Sequence, residues 1–189
     1  MPPQVKISKE QILNTAFEMT RENGFESVTA RKLAERLNCS TQPIFRVYEN
    51  MDALKNDLFE MGVDLFSQYI IKKKSAKDPA YLTMGLAYIE MAEKERNLFK
   101  LIASVEEYQA NDIKEFLIRG ENLEYLNSLP DAQELTSDKK QKLFMSVWFM
   151  THGIATLTVG KRAVLSNKEI RGLITETYNG MLHELKGNE

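Results

Sequence analysis

The chain has 189 residues, of which 43% are hydrophobic and 28% charged, so it is a folded globular protein rather than a disordered one. Its single cysteine, Cys39, excludes an internal disulfide and a cysteine-based metal cluster, and no apolar run reaches the roughly 20 residues of a membrane span. The net charge of −2 excludes a broadly basic surface. With no apolar secretory segment near residue 1, we expect a cytoplasmic protein.

Helical periodicity runs through the whole chain, and no stretch alternates clearly enough to predict a strand. The first helix begins with a capping box, since Ser8 is followed three residues later by Gln11, and Gly24 supplies a left-handed residue at its end. Thr29 is predicted to cap a second helix. Asn38 lies where the chain must turn sharply, so we expect a positive φ there.

The third helix has an unusual first turn, within the segment NCSTQP. We expect Ser40 to cap this helix and Pro43 to lie in its first turn, where the missing N–H costs nothing. Ile44 and Tyr48 are four residues apart and are predicted to face inward. The first turn therefore carries short polar side chains that pack poorly.

The remaining helices are longer and richer in methionine and aromatic residues. Asp52 is predicted to cap a fourth helix that reaches about Lys73, and Pro79 to start a fifth that ends near Lys94. Further helices are predicted over about 95–104, 111–129, 137–161 and, after a second capping box at 166–169, to about 185. The sequence thus predicts an all-α fold of about nine helices, with a three-helix domain at 1–50 and a helical bundle at 51–189.

Three short helices with a tight turn between the second and third are typical of a helix-turn-helix. In that motif the start of the second helix of the pair meets base edges in the major groove of DNA. Thr41 and Gln42 can donate and accept hydrogen bonds there, and Pro43 offers apolar surface to a thymine methyl group. Thr29, at a helix N-terminus, can contact a phosphate. An ordinary capped helix start has the same spacing, so spacing alone leaves both interpretations open.

The charges around this segment permit a small basic face. Residues 29–48 contain four basic residues and one acidic residue, although residues 1–60 together carry slightly more acidic than basic ones. Arg31 and Arg46 are the cations that we expect to contact phosphates.

Residues 12–54 resemble, without a gap, the DNA-binding domain of TetR/AcrR-type transcriptional regulators. The resemblance is carried by Gly24-Phe25, Thr29, Leu33-Ala34, Cys39-Ser40, Ile44-Phe45, Tyr48 and Leu54. It implies a homodimeric regulator, which we expect to be a repressor, that binds a palindromic operator in double-stranded DNA and responds to a small-molecule effector. The residues that we expect at the DNA are Thr29, Arg31, Ser40, Thr41, Gln42, Pro43, Phe45, Arg46 and Val47.

Three positions depart from the family pattern. Asn38 replaces a usual glycine and is the expected substitute at positive φ. Phe45 lacks the tyrosine hydroxyl that often reaches a phosphate, and Met51 replaces a usual lysine. Two lost phosphate contacts predict DNA binding that is weaker or less sensitive to salt.

The C-terminal part also resembles one of the family's ligand-domain subtypes, in GLAYIEMAEKERNLFKLI and in Trp148…His152-Gly153. The family dimerises through its last two long helices, and the segment LFMSVWFMTHGIATLTV is apolar on several sides, as a helix buried from more than one direction must be. Residues that are candidates to line an effector pocket are Tyr88, Phe116, Met145, Trp148 and His152. The alternative is that Trp148 belongs to the core and His152 is a buried histidine with satisfied hydrogen bonds.

Catalytic signatures are absent from the sequence. His152 and His183 lie far apart without the spacing of a metal motif, and the glycines are scattered. We therefore predict no enzyme activity, no cofactor and no metal site, and we expect Cys39 to be buried for packing. Two rival interpretations are a helical protein-interaction module that has lost operator binding, which Phe45 and Met51 favour, and a small helical enzyme.

Overall fold

The computed structural model describes residues 7–73, 77–103, 125, 127, 129–160 and 165–187. Eight α-helices lie within them: α1 Lys9–Asn23, α2 Ala30–Arg36, α3 Gln42–Val47, α4 Met51–Lys73, α5 Ala80–Lys94, α6 Arg96–Ala103, α7 Ser137–Val159 and α8 Asn167–Gly187. Short 3-10 turns cover Phe25–Ser27 and Pro130–Ala132, and these residues contain no strand. The all-α prediction is confirmed, and the helix predicted over 111–129 falls almost entirely outside the described residues.

None of the described helices combines the length and hydropathy that crossing a membrane demands. The described residues fall into two compact units. The N-terminal unit runs to Ser67 and includes Glu95–Ala103, whereas the C-terminal unit consists of Gln68–Lys94 and the described residues after 103. The predicted division at residue 50 into two functional domains remains a prediction.

Local signals in the N-terminal unit place α1 and α2 as the sequence suggests. The capping box at Ser8 is present, with both reciprocal hydrogen bonds to Gln11. Gly24 has φ 82°, but its ψ of 156° lies outside the left-handed helical region, so the expectation of a left-handed cap is only partly met. The Thr29 hydroxyl accepts the Lys32 N–H at 3.3 Å and caps α2.

Two predicted caps are wrong. α3 begins at Gln42 rather than directly after Ser40, and Thr41 takes the cap position without a capping hydrogen bond from its side chain. α4 begins at Met51, and its cap is the Asn50 carboxamide, which accepts the Ala53 N–H at 2.8 Å, rather than Asp52. In both places the sequence offers two suitable polar residues close together, and the backbone path selects one of them.

The N-terminal unit also holds α6 against α1. The Arg21 guanidinium donates two hydrogen bonds to Glu95, at 3.0 and 2.6 Å, and the Asn97 amide donates to the carbonyl oxygen of Arg21 at 2.9 Å. A Cβ at Gly62 of α4 would lie 2.5 Å from Cγ2 of Ile102, so α4 and α6 approach closely there. These contacts join α1, α4 and α6 within the N-terminal unit.

In the C-terminal unit, α5, α7 and α8 pack on one another. A Cβ at Gly85 would lie 2.9 Å from Cδ1 of Ile174, so glycine permits the close approach of α5 and α8. The rings of Tyr81 and Tyr178 stack with centroids 3.8 Å apart. The capping box predicted at Ser166 and Glu169 is present and begins α8.

Candidate nucleic-acid interface

The turn between α2 and α3 has the geometry of a helix-turn-helix. Asn38 has φ 53°, as expected, and is the one non-glycine residue with positive φ in the described chain. Its N–H donates to the carbonyl oxygen of Glu35 at 3.0 Å, and the Cys39 N–H donates to that of Ala34 at 2.9 Å. Cys39 is half-buried, so its side chain is less enclosed than expected. This arrangement ends α2 abruptly and redirects the chain into α3.

The six residues of α3 are divided between a buried side and an exposed side. Ile44 is fully buried and Tyr48, directly after the helix, is nearly so, which confirms that both face inward. Because successive helical residues are rotated by about 100°, Gln42 and Arg46 lie on the opposite, outward side. Phe45 lies on one flank of this outward side. Pro43 and Val47 lie on the other flank.

Most residues predicted to contact DNA are open to solvent. Half-buried Pro43 is the exception. The exposed ones are Thr29, Arg31, Ser40, Thr41, Gln42, Phe45, Arg46 and Val47. The Thr41 side chain makes no capping hydrogen bond, so its hydroxyl is available to another molecule. The structure therefore brings these residues together around the start and the outward side of α3, with Thr29 and Arg31 at the start of α2.

Cations near this face differ in whether they are already paired. Arg36 donates from both terminal nitrogens to the two carboxylate oxygens of Glu22, at 2.6 Å each, and this lowers the pKa of Glu22. Within the described structure, Arg31, Lys32 and Arg46 have no ion-pair partner. A guanidinium or ammonium group without an internal carboxylate partner can bind a phosphate without first breaking an ion pair.

A polar network that the sequence reasoning missed holds the end of α3. The Tyr48 hydroxyl donates to Oδ2 of Asp57 in α4 at 2.8 Å, and Nζ of Lys9 lies 2.8 Å from the same oxygen. The Lys9 ammonium also lies 5.4 Å from the centre of the Tyr48 ring, within cation–π range. The pKa of Asp57 is lowered, chiefly by the hydrogen bond from Lys9. The pKa of Tyr48 is raised, chiefly by burial. The available signal was the tyrosine at 48, where the family pattern has phenylalanine.

Three of the residues predicted to line an effector pocket contact one another in the C-terminal unit. The Tyr88 hydroxyl lies 3.0 Å from Nδ1 of His152, and the Trp148 and His152 rings stack with centroids 4.7 Å apart. Burial lowers the pKa of His152, so the ring is neutral at pH 7. Met145 is half-buried on the same helix, whereas Phe116 lies outside the described residues. This cluster fits either a pocket wall or the alternative of a satisfied core histidine.

Thr151, next to His152, was not singled out from the sequence. It is 3% exposed, and its hydroxyl oxygen has no hydrogen-bond partner in the described structure. A Cβ at Gly85 would lie 3.4 Å from that oxygen. An orphaned hydroxyl cannot be foreseen from sequence, because any helical threonine can bond to the carbonyl oxygen four residues earlier.

No group of three or more histidine, cysteine, aspartate or glutamate side chains within the described residues is arranged to hold a metal ion. No protein-family model and no curated protein matches the sequence. A solved structure does match: a TetR-like transcriptional regulator from Rhodococcus sp. RHA1, with a TM-score of 0.63 over 97% of this chain and 98% of that one, at 12% sequence identity. The architecture therefore places the chain in the class of all-α helix-turn-helix proteins. Its fold is that of the TetR-like transcriptional regulators, which confirms the resemblance at the level of the fold.

Proposed function

We propose that the protein is a cytoplasmic, homodimeric, sequence-specific DNA-binding regulator, acting as a repressor, whose operator binding responds to a small molecule. The observation that carries this proposal is the outward side of α3. It presents Gln42, Arg46 and an uncapped Thr41 hydroxyl to solvent, while Ile44 and Tyr48 anchor the helix behind them. A helix held in this way can enter the major groove without losing its own packing.

The exposed residues divide into two roles. Gln42 can pair with an adenine through its amide, and Thr41 can contact a neighbouring base. Arg31 and Arg46 supply charge to the phosphates, and Thr29 contributes its hydroxyl, since its oxygen accepts the Lys32 N–H and leaves the O–H free to donate. Phosphate contacts set affinity for all sequences, whereas base contacts set preference among them.

Selection of bound fragments from genomic DNA at moderate salt tests this proposal. We expect an enriched palindrome whose half-sites are about one helical turn apart. In the selected operator, Gln42→Ala should reduce discrimination at one base pair per half-site by roughly 1–3 kcal/mol. Arg46→Ala should weaken binding to all sequences alike and reduce the salt slope by about one unit. Failure to enrich any palindrome would contradict the proposal and favour the protein-interaction module, to which the exposed apolar Phe45 is also suited.

Dimerisation is supported by exposed apolar side chains on the last two helices. Phe149, Gly153 and Leu157 follow one another at four-residue spacing on α7 and are exposed, as is Leu173 on α8. A Cβ at Gly153 would meet nothing within 4 Å, so a second helix has room to approach. Such a stripe suits the self-complementary contact of a two-fold dimer.

Sedimentation of a Phe149→Glu/Leu157→Glu variant tests this contact. We expect a dimer in the unmodified protein and a monomer in the variant, because two carboxylates per subunit would be buried at the interface without partners. Ile71→Glu is a matched control, since Ile71 is a large exposed apolar residue on α4, outside these two helices. A monomeric parent protein, or an equally dimeric double variant, would contradict this interface.

We place the effector beside Trp148, His152 and Tyr88, with Met145 nearby and Phe116 as a further predicted contact. Trp148 is the one tryptophan of the chain, and its ring stacks on His152, so its fluorescence reports on this site. Small-molecule screening should find compounds that change the emission of Trp148 and, in parallel, the affinity for the operator. The shift in operator binding cannot exceed the compound's differential affinity for the two states of the protein. Compounds that change operator binding while leaving the emission unchanged would place the effector elsewhere.

A further inference from the structure

The N-terminal unit exposes large apolar side chains in one place. Among its described residues, Phe45 and Val47 are the exposed large hydrophobic side chains, at 49% and 36% of their full surface, and both belong to α3. The other large apolar residues described in this unit, including Ile44 of the same helix, are buried or half-buried. A single exposed apolar residue is ordinary on a protein surface. Here two such residues lie on one six-residue helix and flank Gln42 and Arg46. This surface is therefore apolar as well as polar.

Phe45 has no capacity for a phosphate contact, because its ring carries neither a donor nor a positive charge. The apolar feature that a major groove offers is the 5-methyl group of thymine. Pro43, which the sequence suggested for such a contact, is half-buried, whereas Phe45 stands about half exposed beside the outward side of α3. The exposed apolar surface next to Gln42 is therefore the ring of Phe45.

We propose that Phe45 reads a thymine by contact with its 5-methyl group in each operator half-site. This inference rests on the proposed function and goes further, because it assigns a specificity-determining role to the position where the family pattern would place a phosphate-contacting tyrosine. Gln42 and Phe45 are three residues apart, so their side chains lie about 60° apart around the helix and reach neighbouring base pairs. The thymine is accordingly expected close to the base pair that Gln42 reads.

Replacement of each operator thymine by deoxyuridine, one at a time, tests the proposal, since it removes the methyl group and leaves every hydrogen-bonding group in place. Loss of one buried methyl should weaken binding about four-fold at one thymine per half-site. The same scan with Phe45→Ala closes a double-mutant cycle. We expect the four-fold sensitivity at that thymine to disappear in Phe45→Ala, because its contact partner has been removed.

Val47→Ala is the matched control, since it truncates the other exposed apolar residue of α3. It should retain the deoxyuridine sensitivity at the thymine assigned to Phe45, and Phe45→Tyr, which keeps the ring, should retain it as well. Phe45 is half exposed, so its truncation leaves the fold intact, and helicity measured by circular dichroism verifies this.

An operator with no deoxyuridine-sensitive thymine would overturn the proposal. So would a sensitivity that persists unchanged in Phe45→Ala. Either result would leave the proposed regulator function standing, whereas failure to select any operator would refute that function itself.

Discussion

Two buried threonines show how differently the two units accommodate a polar group. Thr20 in α1 is fully buried, and its hydroxyl donates to the carbonyl oxygen of Ala16 at 2.8 Å. Thr151 in α7 is almost as deeply buried, but its hydroxyl has no partner within the described structure. An unsatisfied buried hydroxyl costs roughly 1–3 kcal/mol. Within the described residues, the Thr151 hydroxyl therefore carries a local cost that the Thr20 hydroxyl avoids.

The two tyrosine hydroxyls extend the contrast. Tyr48 in the N-terminal unit donates to the charged Asp57, which Lys9 also contacts. Tyr88 in the C-terminal unit lies against His152, which is neutral at pH 7. Charge-assisted hydrogen bonds are about twice as strong as neutral ones, so the bond from Tyr48 to Asp57 is the stronger of these two hydrogen bonds. Such a bond at the end of α3 suits the proposed DNA-contacting surface, and a neutral bond between Tyr88 and His152 suits the proposed effector site.

The largest expected effect comes from adding a methyl group at Gly62, where two helices approach closely. Gly85, at a similar approach in the C-terminal unit, provides the comparison. Gly62→Ala would place Cβ 2.5 Å from Cγ2 of Ile102. That methyl group is bonded directly to the branched Cβ of isoleucine, a side chain that is stiff at χ1, so the substitution should lower the free energy of unfolding by about 2 kcal/mol. Gly85→Ala would meet Cδ1 of Ile174 at 2.9 Å, and that atom can rotate away. The gain in helix propensity, about 1 kcal/mol, should offset the remaining strain at Gly85. Chemical denaturation at one fixed protein concentration measures both; equal losses would mean that the C-terminal unit packs as rigidly as the N-terminal one.

A smaller effect is expected from removing the two tyrosine hydroxyls. Tyr48→Phe deletes a hydrogen bond to a carboxylate and should lower the free energy of unfolding by about 1.5 kcal/mol. Tyr88→Phe deletes a bond to a neutral ring and should lower it by about half as much. The same denaturation experiment compares them, and a larger loss for Tyr88→Phe would reverse the contrast between the units.

Replacing the two threonines by valine should give changes of opposite sign. Thr20→Val removes a satisfied hydroxyl and leaves the Ala16 carbonyl without this bond, at a cost of about 1 kcal/mol. Thr151→Val replaces an orphaned hydroxyl by a methyl group of similar shape, and should stabilise the protein by up to about 1 kcal/mol. Valine and threonine have similar helix propensities, so the pair is matched. Destabilisation by Thr151→Val would indicate that its hydroxyl has a partner in solution.

The sequence was informative wherever a structural choice is local. The capping boxes at Ser8 and Ser166 and the positive φ of Asn38 follow from two to four neighbouring residues, and all three were predicted. The caps at Ser40 and Asp52 were predicted wrongly because Thr41 and Asn50 are equally suitable by composition, and tertiary packing decides between them. The bond from Tyr48 to Asp57 and the orphaned hydroxyl of Thr151 were missed, because each depends on which helix faces which. The exposed residues of α3 were predictable because they share a single short helix.

The smallest expected effect is a difference in how two polar clusters respond to acid: the one that contains Asp57 in the N-terminal unit and the one that contains His152 in the C-terminal unit. Burial lowers the pKa of His152 below its ordinary value of 6.5, so the unfolded chain binds a proton more readily than the folded one. Stability from this site is thus complete above about pH 6.5 and declines as the pH falls below it. The pKa of Asp57 is lowered from 3.8, chiefly by Lys9, so its contribution persists until the pH falls below about 4. Other carboxylates with shifted pKa values, such as Glu22 and Glu90, are likewise lowered from 4.5. A loss of unfolding free energy between pH 6.5 and 5 that vanishes in His152→Gln would assign that interval to the C-terminal unit, whereas an unchanged loss in the variant would mean that His152 does not cause it.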